Sequence, residues 1–387
     1  MSVQTQLLAN DSLQQHFLSG HVSASGRLQA LHDRLLQAIP HIDRIACALY
    51  DASDDSLTTF INSTRSGTPL PNYHFKLSQS AALSQLAENA SIRMLDDLSH
   101  ALLPTSVHNR WLIEQGYQSS FTVPIYDQRG FLGFVFFDSQ QLHAFPEKTQ
   151  RDLLLYSNLI SMTISGEVET IRSLRASTHL ACEFAHLRDF ETGAHLQRMS
   201  HYAKVIAGSV APRYQLSDEF IEHVFWFAPL HDIGKIGIPD SILLKQGSLT
   251  AAERRIMESH VNKGLEIIGK LIDDFGLAEF PDTVELRNIV GCHHEFLDGS
   301  GYPRGLHGAA VPISARIVTA ADIYDALTTQ RPYKQPWSHA QALTELQRMA
   351  EAGKLDPHCV AAIASAEAEF AVIGAQFQDS APVLPSA

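Results

Sequence analysis

The strongest constraint in this chain is an apolar run, Val224 to Leu230, that ends on His231 and Asp232 and resumes as Ile-Gly-Lys-Ile-Gly-Ile, with Lys235 one turn further on. Charged residues framed by apolar ones go to the interior, and a buried charge needs an opposite charge or a metal ion. Adjacent residues on a helix point about 100° apart, so this pair cannot close a metal site alone. A carboxylate can nevertheless bridge two ions while its neighbouring imidazole binds one of them. Taken in isolation, the dipeptide fits equally an aspartate that caps a helix beside a core histidine. The metal reading therefore requires partners elsewhere.

The C-terminal half offers them. Glu191 and His195 stand four apart, so a helix would put both on one face, with Arg198 a turn beyond; alone, such a face reads as a solvated one. His260 follows, and then the doublet His293-His294, which opens a segment with three glycines in twelve residues, Glu295 to Leu306. Neighbouring imidazoles must each satisfy two ring nitrogens, and the glycines permit close backbone approach to a ligand. Tyr302 in this loop stacks on a base, lines a pocket, or packs under its own loop. Asp322 is a lone carboxylate in the apolar turn Ala320-Ala321-Asp322-Ile323, and Asp325 after it orients a ligand or caps a helix. Arg331 and Lys334 are two cations suited to phosphate oxygens or to an ordinary surface. What changes the weight is the recurrence of ligand-type residues in separate segments of one helical region.

At 387 residues the chain suits two domains, each with its own core. The net charge of -13 argues against a DNA-binding surface, while a small anionic substrate needs only a local cationic pocket. Cys47, Cys182, Cys292 and Cys359 form no paired spacing and read as cytosolic thiols. The N-terminus lacks the plan of a signal peptide. The longest apolar candidate, Leu153 to Ile164, is interrupted by Ser157, Asn158 and Ser161, so a cytoplasmic protein without a membrane span is expected.

Residues 1 to about 26 are polar and read as an arm or a short leading helix. Helical spacing at Leu28, Leu31, Leu35 and Leu36 precedes strand-like stretches at 42–50, 57–62, 73–77, 92–95, 119–126 and 131–138, with helices near 81–87 and 107–115. This is an α+β plan, and its element order, together with Phe131-Leu132-Gly133-Phe134-Val135-Phe136, resembles the GAF family of sensory domains. The expected domain spans 27–165, and its input is an unknown small molecule or protein. From Pro146 the pattern is helical. Ile160, Ile164, Val168, Ile171 and Leu174 form one stripe, which predicts a homodimer through the interdomain helix, the alternative being that the stripe lies on its own domain. An all-α domain, 166–374, follows, with a disordered tail from Gln378.

In that second domain the residues resemble a known family. His231-Asp232-Ile233-Gly234-Lys235 and His293-His294-Glu295-Phe296-Leu297-Asp298-Gly299-Ser300-Gly301-Tyr302-Pro303 stand, in this order, as they do in the HD-GYP cyclic di-GMP phosphodiesterases, a subgroup of the HD metal-dependent phosphohydrolases. The resemblance covers about residues 175–370. It implies the metal ligands Glu191, His195, His231, Asp232, His260, His293, His294 and Asp322. It also implies phosphate contacts from Lys235, Arg331 and Lys334, and a pocket border at Tyr302 and Pro303. Leu297 stands where the family often has a tryptophan, a departure that touches loop packing and removes no ligand.

The implied reaction is hydrolysis of cyclic di-GMP to the linear dinucleotide, GMP or both. Two or three transition-metal ions sharing Asp232, iron or manganese from the mixed His and carboxylate donors, supply positive charge and an activated water, with Lys235 stabilising the reacting phosphate. Two other readings compete. One is a domain that binds cyclic dinucleotide and signals without turnover, against which the intact ligand set counts. The other is an HD hydrolase of another nucleotide, against which the Gly-Tyr-Pro loop and the paired cations count.

Overall fold

A computed structural model describes residues 23–65, 68–70, 73–102, 106–186, 193–274, 283–329 and 335–378, without the side chains of 174–175 and 177–186. Residues 1–22 of the expected leading arm, 379–387 of the expected tail, and the site residues Glu191, Arg331 and Lys334 lie outside the described residues. The chain divides into two compact units between Thr170 and Ile171, inside one long helix.

The first unit opens with helix α1 (Ala24–Ala38), whose N-terminal amides are capped by the Ser23 hydroxyl. Strands β1 (Arg44–Asp51) and β2 (Ser56–Thr64) pair antiparallel, and β3 (His74–Lys76) adds to β2. Helix α2 (Ala81–Asn89), β4 (Arg93–Leu95) and helices α3 (Leu98–Ala101) and α4 (Val107–Glu114) lead to β5 (Ser119–Asp127) and β6 (Gly130–Ser139). The β5–β6 connection turns through Gln128 and Arg129, with the Asp127 side chain accepting from the Arg129 amide at 2.8 Å. The result is a six-stranded antiparallel sheet in the order β3-β2-β1-β6-β5-β4. Phe60, Phe121, Phe134 and Phe137 are fully buried in it, and β1, β5 and β6 are buried in continuous runs rather than on alternate residues, as strands covered on both faces are.

Helix α5 (Glu147–His186) carries the apolar stripe. Ile160, Ile164, Val168 and Ile171 are buried within the single chain, and Leu174 lies outside the described side chains. These four positions of the stripe are therefore covered within the single chain and leave no exposed apolar surface on that face for a partner helix. Among the described residues of α5 the exposed large apolar side chains are Leu155, Leu159 and Met162, on the nearly opposite face.

The second unit is helical. Helix α6 (Gly193–Tyr214) is central, packing on α7 (Asp218–Phe227), α12 (Ile313–Thr328), α14 (Pro357–Ser365) and α15 (Glu367–Gln376). Between α7 and α8 (Asp240–Leu243) the chain makes two short 3-10 turns, Ala228–Leu230 and Ile233–Gly237. Helices α9 (Ala251–Glu258), α10 (His260–Asp274), α11 (Thr283–Cys292) and α13 (His339–Glu351) complete it, with a loop at 293–312. Among the described residues no single helix is long and apolar enough to cross a membrane. The bent pair α14 and α15 reaches the threshold by length and composition, and its Cys359, Ile363, Phe370 and Ile373 are buried.

Candidate metal centre

His231 and Asp232 sit at the junction of the two 3-10 turns rather than within a regular helix. The tight turn lets the following backbone press on the start of α10. A Cβ on Gly234 would lie 1.8 Å from the His260 carbonyl oxygen, so only glycine fits between Asp232 and His260. From the other side, His293 follows the last turn of α11, and His195 and Asp322 come from α6 and α12.

Asp232 is the meeting point. Its Oδ1 lies 3.0 Å from His260 Nε2 and 3.5 Å from His293 Nε2. Its Oδ2 lies 3.3 Å from His231 Nε2 and 2.8 Å from Lys235 Nζ. Two groups of ligand-type atoms result, each with all its atoms within 4.8 Å of one another: Asp232, His260, His293 and His294, and His195, His231 and Asp322. Asp322 Oδ1 is 3.9 Å from His231 Nε2.

The histidines share one device. His231 Nδ1 bonds the Ala228 carbonyl at 2.8 Å, His260 Nδ1 the Met257 carbonyl at 2.7 Å, and His293 Nδ1 the Ile289 and Val290 carbonyls at 3.1 and 3.2 Å. A carbonyl only accepts, so each ring proton is on Nδ1 and each Nε2 presents a lone pair to the site. His195 is held differently: its Nδ1 donates to Asp325 Oδ2 at 2.7 Å, and Arg198 grips the same carboxylate through Nε at 2.6 Å and Nη2 at 3.0 Å. Of the two readings open for Asp325, the geometry selects the orienting one.

These contacts test whether metal ions fit. The Nε2 atoms of His260 and His293 and the Oδ1 of Asp232 are buried and make no hydrogen bond, though nitrogen and oxygen lie 3.0 and 3.5 Å apart. Lone pairs facing a carboxylate oxygen repel each other unless a cation sits among them. Protonation agrees. Burial alone would raise the Asp232 pKa, but the Lys235 ammonium beside it outweighs burial and holds the carboxyl well below the usual range. Burial pushes the His293 and His294 imidazoles down, keeping them neutral as ligands must be. The donor set suits divalent metal ions.

Tyr302 stacks on His294, with ring centroids 4.7 Å apart and planes at 30°, and meets His260 edge-on at 6.3 Å. It therefore borders the ligand group, with Pro303 next to it. A Cβ on Gly301 would lie 2.4 Å from the His294 carbonyl oxygen, so this glycine lets the loop fold onto the histidines. Leu297 packs with Leu306 against buried Cys292, Val311 and Ala315, so the position remains packed without a tryptophan. Two supports escaped the sequence reading. Buried Glu295 accepts from the Arg304 and Leu306 amides at 2.7 and 2.9 Å, and the Thr319 hydroxyl donates to the His293 carbonyl at 2.7 Å. Both partners are main-chain groups, for which side-chain spacing carries no signal.

The family model described as HD domain matches residues 183–359, which contain all three buried imidazoles around Asp232. The C-terminal unit is an HD domain. Gly301-Tyr302-Pro303 lies against its histidines, the arrangement that the resemblance to the HD-GYP family implies. The chain is 44% identical over 229 residues to a cyclic di-GMP phosphodiesterase response regulator of Xanthomonas campestris pv. campestris, covering 59% of this chain and 56% of that one. It is 34% identical over 257 residues to a 3'3'-cGAMP-specific phosphodiesterase of Vibrio cholerae, covering 65% of this chain and 46% of that one. The chain thus spans about half the length of these curated relatives. The GAF domain of an Acinetobacter phosphoenolpyruvate-protein phosphotransferase is 18% identical, with a TM-score of 0.30, over 43% of this chain and 96% of that one.

Proposed function

We propose that the chain is a metal-dependent phosphodiesterase that hydrolyses cyclic di-GMP to the linear dinucleotide, GMP or both, under the control of its N-terminal unit. The observation that carries this is Asp232, whose two oxygens face two separate groups of ligand-type side chains. His260, His293, His294 and Asp232 would hold one ion, and His195, His231, Asp322 and Asp232 a second. Glu191 is the proposed ligand of a third. The mixed imidazole and carboxylate donors favour iron or manganese over magnesium, which prefers oxygen ligands. Bound there, such ions supply positive charge to the phosphate oxygens and lower the pKa of water.

The chain's own residues do the rest. Lys235, on the Asp232 Oδ2 edge, brings a cation to the reacting phosphate. Asp325 holds His195 at a fixed angle. Tyr302 offers a ring face at the edge of the ligand group, suited to stacking on a base. Arg331 and Lys334 are proposed to grip the phosphate that is not cleaved. The chain is proposed to form a homodimer through the interdomain helix, α5.

The test is to load purified protein with iron or manganese and incubate it separately with cyclic di-GMP and 3'3'-cGAMP, then separate the products. The reading expects faster loss of cyclic di-GMP. Binding of either dinucleotide without turnover would favour a silent receptor, and faster loss of 3'3'-cGAMP would move the substrate.

A further inference from the structure

The N-terminal unit contains a cavity of about 390 Å³ between the sheet and the segments that carry α2 and α4. Its walls are largely apolar, including Leu57, Leu83, Leu112 and Phe136, and the size is that of a pocket for a small molecule. Tyr73 and His108 also line it. Their rings stack 5.4 Å apart at 23°, and His108 in turn stacks on Trp111 at 6.1 Å and 22°, giving one wall a flat face.

Two arginines, Arg44 and Arg93, line this apolar space, and no carboxylate does among its described lining residues. The nearby carboxylate, Asp138, is already engaged: Oδ2 takes Arg44 Nη1 at 2.5 Å and Oδ1 takes the Ser120 hydroxyl at 2.7 Å. Arg44 is further fixed over the Trp111 ring, 4.8 Å from its centroid. Arg93 has a weaker hold. Its Nη2 donates to Thr122 Oγ1 at 3.4 Å, and its buried Nε has no hydrogen-bond partner. Burial pushes the Arg93 guanidinium pKa down, with Asp138 opposing, and burial together with Arg44 pushes His108 down to about 4. At neutral pH His108 is uncharged and the cavity holds one uncompensated positive charge. A ligand anion in the cavity would balance this charge.

We propose that this cavity binds a small monocarboxylate with a planar apolar body, its carboxylate on Arg93 and its ring against the flat wall at Tyr73 and His108. A guanidinium fork matches two carboxylate oxygens, and a single negative charge balances the pocket where a phosphate dianion would overshoot. The site is independent of the reaction proposed for the HD domain, since every residue in it belongs to the N-terminal unit.

The test is calorimetric titration of the full chain with benzoate, trans-cinnamate, 2-naphthoate, the neutral isostere 2-naphthamide and inorganic phosphate. At least one of the acids should bind saturably at one site per chain, with the amide about tenfold or more weaker than its acid and phosphate without measurable binding. In Arg93→Gln the preference for 2-naphthoate over the amide should vanish while the amide still binds, which reports an intact pocket. Arg93→Lys should fall between the two, keeping the charge without the fork. The proposal is overturned if none of the acids binds to the wild-type chain, if acid and amide bind it equally, or if phosphate binds more tightly than the acids. The wild-type contrasts decide the matter even if a variant does not fold.

Discussion

Asp325 accepts from both His195 and Arg198, and burial, which would raise its pKa, is outweighed by these two partners, which hold it down to about 2. Asp325→Asn keeps the shape but weakens the grip on the His195 ring. Removing such a support typically costs about 10–100-fold in metal affinity. Metal titration followed by atomic absorption should show that loss, and activity should recover in part as metal is raised. Unchanged affinity would mean that His195 needs no orienting. Asp232→Ala removes the oxygens facing both ligand groups, so the reading expects metal content and turnover to fall together; a variant near wild-type rate would put the chemistry elsewhere. His231, Asp232, His293 and Asp322 stood out in the sequence because they border or interrupt apolar runs, whereas His260, between Ser259 and Val261-Asn262, carried no such signal. The fixing of the imidazoles was not legible. The ring protons of His231, His260 and His293 go to carbonyls three or four residues back, and every residue type has a carbonyl.

At the scale of elements, most helices and all the strands stood in the periodicity, including the short β4, because Ser, Asp, Gly and Pro clusters punctuate them. The 3-10 turns around His231-Asp232 did not, since their residues fit a longer helix equally well. Nor did the tie among α6, α12 and α14. Asp356, at the N-cap of α14, accepts from Tyr214 at 2.6 Å and Arg316 at 3.2 Å and receives the His358 amide at 2.9 Å. Burial raises its pKa, but these donors win and lower it. A lowered folded-state pKa means stability that is fully present above the ordinary carboxylate value, about 3.9, and lost as pH falls through the folded-state value. Asp356→Asn keeps a capping side chain and deprives the Arg316 guanidinium of its counter-charge, at a cost of about 2 kcal/mol. In urea unfolding the gap between wild type and variant should be constant from pH 8 to 5 and close below about pH 4. A gap that widens on acidification would reverse the assignment.

For the whole molecule, two units of different class were legible because the apolar period changes from two to near 3.6 along the chain. The mode of self-association was not, and the reason lies in α5. A stripe stepping by three and four residues says that one helix face is covered, but not by what. Ile164 is 0% exposed in the single chain, whereas Leu155 is 65%, Leu159 47% and Met162 73% exposed. These three also step by four and three, so they form a second stripe, about half a turn round from the first. Aligned apolar side chains left in water favour association, whereas isolated ones do not. If the proposed homodimer forms through α5, this second face is its seam. Leu155→Lys combined with Met162→Lys should weaken self-association at least about tenfold, because each change removes buried apolar area and sets like charges across the seam. Ile164→Val, on the covered face, should leave association unchanged while lowering stability by about 1 kcal/mol. Sedimentation equilibrium on the full chain reads the first effect and thermal unfolding the second. A dimer that survives the double change, or a wild-type chain that stays monomeric at concentrations near 100 times the protein level used for activity, would remove α5 as the seam.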